Sequence, residues 1–578
     1  MRKLYFVLAL LFACAVSAAA PDAATPADLI READAAIDAQ NLSAFQSELA
    51  SRIGVALTDV AQADLANVSQ LAAFREFAKF FGTSKALTED KETLKWLVGQ
   101  PILLPTLMSA VDESDSPDGV VAVLKSLRDA SGGSLENVPD LATAFAVVWD
   151  KPSPSGTEPS AQNRHVVQMF NYFLNTRGQA RFDLQKMPWQ LSVFVVDMKL
   201  RPDEIQWAMQ RYSHLGPVAS CYFDVPYDDD AFNNGGKKKI DAHDYTLPNI
   251  LQYGGICVDQ AYYASQVAKT MSIPSCVCSG ASGAGAANHA WVGVLEDSSG
   301  RALWNFDEGR YSEDLYWSAS IKDPQTGKEI SEGDVGLTGD LLNTPADARV
   351  ESSLLVKVEE DAPEASRMDL LERAINLSPG NRAAWVALAK LGREGRLSPD
   401  QLESVGRVVQ QYAAQSYPDF AWQMLVNMCA SQPPSQRVES LNNISRLFSA
   451  RPDLVARIRN LQGDLYRKLD QDDLALGEYG DILTNYLNTG PIVMEAMQRV
   501  DEMLRAKQDL NHLVRIYDSV WPKLAIPDRS AFAFETPFAV VGKAYADLLD
   551  SMGNESAADN IRTRIKQLVV EPPAAAGN

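Results

Sequence analysis

Three residues of this chain combine types and spacing suited to acyl transfer: Cys257, His289 and Asp307. A cysteine supplies the nucleophile, a histidine takes and returns its proton, and a carboxylate holds the imidazole in one tautomer. The thiolate attacks a carbonyl, a thioester forms, and water or an amine is the final acceptor. Cys257 stands in "YGGICVDQAYYASQ", where Gly254 and Gly255 allow a tight approach and the residues that follow have helical character. At the first turn of a helix, unpaired N–H groups and the positive dipole end favour thiolate over thiol. The Cys257 N–H is a candidate oxyanion donor, and Gln252 or Tyr222 are candidate side-chain donors.

The elements that must position these groups follow from pattern. From Val258 to Met271, Ala261, Ala264, Val267, Ala268 and Met271 fall on one face, which predicts a packed core helix. "NHAWVGVLEDSSGRALWNFDE" predicts two strands joined by a polar turn. Ala290, Val292 and Val294 mark a core face, and His289 points the other way. A turn centred on Ser298 sets position 289 opposite 307, and opposed residues have Cβ atoms about 5 Å apart, within reach of a carboxylate–imidazole contact. "LSVFVVDMKL" (191–200) and "SIPSCVCSG" (272–280) also have strand character.

On these residues the chain resembles the transglutaminase-like branch of the papain-like fold. The resemblance rests on "GGICVDQA" with Cys257, "NHAWVGV" with His289 and Trp291, "LWNFD" with Trp304 and Asp307, and the "SIP" of Ser272 to Pro274. It covers about Leu191 to Val350 and is strongest from Gly254 to Asp307. It implies an α+β core with Cys257 as nucleophile, His289 as base and Asp307 as orienting acid. It also implies chemistry at amide bonds of peptides or proteins, with hydrolysis favoured over cross-linking because water is the default acceptor. No cofactor is implied. Gly293 and Glu308 depart from the acidic residue and proline that many members carry there, and "GASGAGAAN" before His289 has the composition of a flap. The rival expectation is a catalytically inactive scaffold for protein–protein interaction.

Around this core the chain of 578 residues is too long for one hydrophobic core. Residues 21–185 read as a helical N-terminal domain, in which Leu71, Phe74, Phe77, Ala78 and Phe81 form one stripe, and "KPSPSGTEPS" (151–160) marks a loop. The transglutaminase-like domain is expected over 186–350, a linker over 351–360, and α-helical repeats over 361–570, before a tail at 571–578. Gly463, Tyr466, Ala475 and Tyr479, and again Ala374, Pro379, Trp385 and Leu388, stand at offsets resembling tetratricopeptide repeats. Such stacked hairpins usually present a concave face to a protein partner.

"MRKLYFVLALLFACAVSAAA" (1–20) has the pattern of a signal peptide, with a small-residue cut at Ser17-Ala18-Ala19, so export to a periplasmic or extracellular space is expected. "LFAC" offers Cys14 as an alternative lipid anchor, and no other segment approaches the roughly 18 to 20 apolar residues of a membrane span. A net charge of −22 excludes a phosphate-backbone ligand and disfavours anionic headgroups. Removing Cys14 leaves Cys221, Cys257, Cys276, Cys278 and Cys429. Cys276 and Cys278 face one side of a strand without the second Cys/His pair of a zinc site, so they are expected as structural thiols, or one as a disulfide partner of Cys221. The acidic stretch "FDVPYDDDAF" with Asp241, His243 and Asp244 lacks the ligand spacing of a known calcium loop and reads as solvated surface. His165, His214 and His512 have no partner legible in the sequence.

Overall fold

A computed structural model describes residues 25–132, 135–152, 159–298 and 301–569. The expected leader 1–20 with Cys14, residues 153–158 of the Pro/Ser-rich loop, and the tail 571–578 lie outside the described residues. The chain is mostly helical with one antiparallel sheet, a helical α+β arrangement. Its strands are β1 (Ser275–Gly280), β2 (His289–Ser298), β3 (Arg301–Asn305), β4 (Ser320–Lys322) and β5 (Glu329–Ser331), in the order β3-β2-β1-β4-β5.

The N-terminal helices begin at a capping box in which Thr25 and Asp28 satisfy each other's backbone donors. The stripe from Leu71 to Phe81 is buried on the helix Leu65–Phe81. One apolar core runs from Leu29 through the sheet to Leu465, so these helices and the sheet share an interior. Polar ties cross the same ground. Arg75 meets Asp361 at 3.0 Å, and the Gln325 side chain donates to the Ala110 carbonyl at 3.0 Å.

Two expected elements differ. Residues 191–196 are helical, in Trp189–Val196, and all six are buried. A run that is apolar on every side has no period to separate a strand from a fully buried helix. The expected linker 351–360 is largely the second half of the helix Ala346–Lys357 and the turn after it, with Leu354, Leu355 and Val358 in the core.

From Arg367 onward the chain folds as successive helices joined by short turns. Small residues set the closest crossing: a Cβ on Gly463 would lie 2.4 Å from the Tyr479 ring. Ala374 and Ala475 are fully buried, and the Trp385 indole donates to the Pro379 carbonyl at 2.8 Å. A second core, from Ala456 to Ile561, gathers the last helices into a unit with its own interior. Among the described residues no helix is long and apolar enough to cross a membrane.

Candidate functional site

The Cys257 helix spans Cys257–Thr270 and lies against β1 and β2. Its start is built by backbone approach. Gly254 has φ +76°, and a Cβ there would lie 2.3 Å from the Pro226 carbonyl oxygen. A Cβ on Gly255 would lie 2.6 Å from the Asp259 carboxylate. The Gly255 N–H donates to Pro226 at 3.0 Å, and the Asp228 N–H to Gly255 at 2.8 Å. Asp259 caps the helix by accepting from the Ile256 N–H at 2.8 Å, and its other oxygen takes Lys238 at 2.7 Å and the Tyr245 hydroxyl at 2.8 Å. Lys238 therefore pairs with the acid beside the nucleophile.

The Cys257 side chain is the first on this helix, and the residue is 8% exposed. Burial pushes its thiol up. The Ala290 and Val258 amides pull the other way, and the Asp259 charge adds to the rise. Four phenols, Tyr222, Tyr227, Tyr311 and Tyr316, lie within electrostatic reach of the sulfur, and burial raises all four. The backbone amide of Cys257 bears on the Tyr227 phenol oxygen. The Tyr227 phenol therefore stands beside the expected backbone donor of Cys257. Tyr222 is committed elsewhere, donating to the Ala290 carbonyl at 3.0 Å, and Gln252 is exposed on the preceding helix Leu247–Tyr253.

His289 opens β2 and is 8% exposed. Its Nε2 lies 2.6 Å from the Gly309 carbonyl oxygen. A carbonyl only accepts, so Nε2 carries the proton, and the neutral ring keeps its lone pair on Nδ1. Tyr311 stacks on the ring at 4.8 Å between centroids, and Tyr316 lies at 5.2 Å. Burial lowers the imidazole's affinity for a second proton, against the pull of the Gly309 carbonyl. Thiol and imidazole share the Tyr311–Tyr316 wall, and among the described residues no hydrogen bond joins them.

Asp307 does not take the orienting place expected of it. Ser298 pairs with Arg301 and Val294 with Asn305, so this register, extended, would set position 289 against 310. The hairpin also departs from regular pairing after Asn305, where the Val292 N–H donates to the Glu308 carbonyl at 3.2 Å. Asp307 is exposed, and the Gly309 carbonyl does what was expected of its carboxylate. The pattern missed Tyr227 as well. Its place depends on a parallel bridge to Gly255, a tertiary contact that no local period announces.

The remaining candidates have structural partners. Cys276 and Cys278 are buried and free with their sulfurs 3.9 Å apart, and Cys221 is likewise free, so the disulfide to Cys221 is not formed. A Cβ on Gly293 would lie 2.7 Å from the Phe306 ring and 2.8 Å from the Cys276 sulfur, which leaves no room for an acidic side chain. Trp304 packs on Phe194 and donates to the Thr338 hydroxyl at 3.1 Å. In the acidic stretch, Asp228 is used by the Lys239 backbone and side chain, and His243 stacks on Tyr253 at 3.6 Å. His165 bonds the Met198 carbonyl, and His512 lies 3.6 Å from Asp509. Among the described residues no group of three His, Cys, Asp or Glu side chains is arranged to hold a metal ion. No protein-family model, no curated protein and no solved structure matches this chain.

Proposed function

We propose that this chain is a thiol-dependent enzyme of transglutaminase-like type that acts on amide bonds of peptides or proteins, with Cys257 as nucleophile and His289 as base. The observation that carries the proposal is a buried thiol at a helix start, its burial-driven rise opposed by the Ala290 and Val258 amides, in a Tyr311–Tyr316 wall shared with an imidazole whose Nε2–H is tied to the Gly309 carbonyl. The Cys257 proton passes to His289 Nδ1 as the sulfur bonds the carbonyl carbon. The amide nitrogen leaves with that proton, and a thioester remains. Water then attacks the thioester carbonyl, losing a proton to Nδ1, and the thiol is regenerated as the acid departs. In this reading the Cys257 N–H and the neighbouring Tyr227 hydroxyl would supply the oxyanion's donors. Hydrolysis stands ahead of amine transfer because water is the default acceptor. The leader pattern supports an exported protein, and the C-terminal helices support a protein-binding role. The papain-like classification of the core belongs to this proposal too.

Burial favours neutral thiol and neutral imidazole at rest, so in this reading the proton moves to His289 as the sulfur attacks an electrophile, substrate or label alike. The same burial favours the second reading, a scaffold whose triad does no chemistry. Iodoacetamide labelling, mapped by mass spectrometry from about pH 6 to about pH 10, separates the two. An enzyme labels at Cys257, and His289→Ala slows that labelling by about 10²-fold. An unchanged rate in His289→Ala overturns the enzyme reading and leaves the scaffold.

A further inference from the structure

The mouth beside Cys257 has two aromatic lips, and one segment of the C-terminal unit touches both. On one side Tyr227 packs on Phe232 at 5.8 Å between ring centroids, and Phe232 meets Phe532 at 5.6 Å. On the other side the Tyr316 hydroxyl donates to the Ala287 carbonyl of the flap 281–288 at 3.0 Å. A Cβ on Gly285 of that flap would lie 2.7 Å from the Cβ of Ala525, and Asn288 donates to Glu535 at 3.3 Å. Residues 525–535 thus connect the lips. They are anchored at the back, where the Ser530 N–H donates to Leu568 at 3.1 Å and Ser530 bridges Val569.

The glycine-rich composition of the flap is explained by the same seam. A Cβ on Gly283 would lie 2.1 Å from the Asn488 carbonyl oxygen, and one on Gly490 would lie 2.5 Å from the Ser282 carbonyl oxygen. Trp317 donates to the Asn488 carbonyl at 2.8 Å. Backbone therefore meets backbone from both sides, and the flap leading to His289 is held by the helical unit. That unit has its own core, joined to the main one through the helix Pro452–Lys468, which gives Leu454, Ile458 and Leu465 to one interior and Ala456 to the other. Across the mouth itself the segment is lightly packed: Ile526 and Phe534 are both more than half exposed.

We propose that residues 525–535 are a strap that closes the Cys257 mouth. In the closed state Phe532 fills an aromatic subsite on the Tyr227–Phe232 lip, and in the open state that subsite receives an aromatic side chain of the peptide substrate. The word substrate rests on the enzyme reading above; the closure does not. Phe532 contributes to specificity by occupying the subsite, without touching the reacting atoms.

The test uses the full chain with Phe532→Ala, read by Cys257 labelling and by hydrogen exchange of residues 281–288. Labelling about tenfold faster, with faster flap exchange, is the expected result. Acetyl-phenylalanyl-glycine amide should then slow Cys257 labelling in the variant, and acetyl-alanyl-glycine amide should not. Gly283→Ala drives a methyl group into Asn488 and should open the seam by an independent route if Phe532→Ala folds poorly. Unchanged labelling and exchange in both variants overturns the strap, and equal protection by the two peptides overturns the aromatic subsite. Adding His289→Ala to Phe532→Ala keeps the two ideas apart. No effect of the histidine on labelling then counts against the enzyme, while flap exchange still judges the strap.

Discussion

Cys257 and the pair Cys276–Cys278 sit in one helix-on-sheet unit, all three thiols are buried, and the surroundings treat them differently. Cys278 is sealed inside the sheet, its thiol raised by burial, by the Cys276 sulfur and by the Glu332 charge, with Arg310 opposing. Cys257 is also raised by burial, but the Ala290 and Val258 amides oppose the rise, and a histidine begins the strand beside it. The strand pairing explains the separation. Gly280 pairs with His289 at the end of β1, whereas Cys278 pairs with Trp291 one layer deeper. Two positions along β1 separate the histidine's end of the sheet from a thiol whose main neighbours are a second thiol and a carboxylate, with Arg310, not a backbone amide, as the chief group opposing the rise. Burial alone does not decide whether a thiol is reactive; the groups that compensate the charged form do.

Native-state labelling is the strongest way to break this comparison. Cys257 should react when the strap opens locally, whereas Cys276 and Cys278 become available only when the sheet opens. The sheet's interior pairs should therefore label at least about 10³-fold more slowly. Cys257→Ser should remove essentially all labelling of the folded protein. Labelling of Cys276 at the Cys257 rate would erase the distinction drawn here.

Gly309→Ala sharpens the comparison from the histidine side. Gly309 has φ +81°, and an added Cβ would lie 2.7 Å from the Tyr222 ring, so the carbonyl that holds His289 must shift. Misplacing a positioning group by about 1 Å costs on the order of 10²-fold in rate, and a loss of that size in Cys257 labelling is expected. The sheet thiols should be unaffected. A smaller change follows from the direction of the thiol's shift. Because burial raises Cys257, labelling should increase about tenfold per pH unit and level off above the ordinary cysteine value of about 8.5. A plateau below that value would mean that the thiolate is stabilised at rest.

Much of this arrangement was legible in the sequence, and the losses have identifiable causes. The helix after Cys257 and the strands carrying Cys276 and His289 follow from period and turn signals, and the structure has them within three residues at each end. Local pattern could not reveal what depends on contacts far apart in the chain. The phenol of Tyr227 reaches the Cys257 amide because residues 226–228 lie along Gly255. Lys238 belongs to the basic run 237–239 beside the acidic run 228–230 in sequence, and the structure makes it the partner of a fully buried Asp259. The short strands β4 and β5 are three residues each, below the length at which alternation gives a signal. At 191–196 the apolar run carried burial correctly and conformation wrongly.

Asp307→Asn is the smallest expected effect and bears most directly on the register. Ser298 pairs with Arg301, a register that moves every later partner of β2 away from the pairing of 289 with 307. The exposed Asp307 side chain then has no role in holding the imidazole, since the Gly309 carbonyl accepts the Nε2–H. Losing its charge should change stability by less than about 0.5 kcal/mol, the usual range for exposed positions. Cys257 labelling should stay within about twofold, because a 1.4 kcal/mol loss would be needed for tenfold. A loss near that of His289→Ala would instead require the carboxylate to reach the imidazole in the working state. The Gly309 contact would then belong to a closed form that substrate rearranges. Measured beside Gly309→Ala, the variant assigns the orienting role to one acceptor or the other, because an Nε2–H donated to the Gly309 carbonyl is not free for the Asp307 carboxylate.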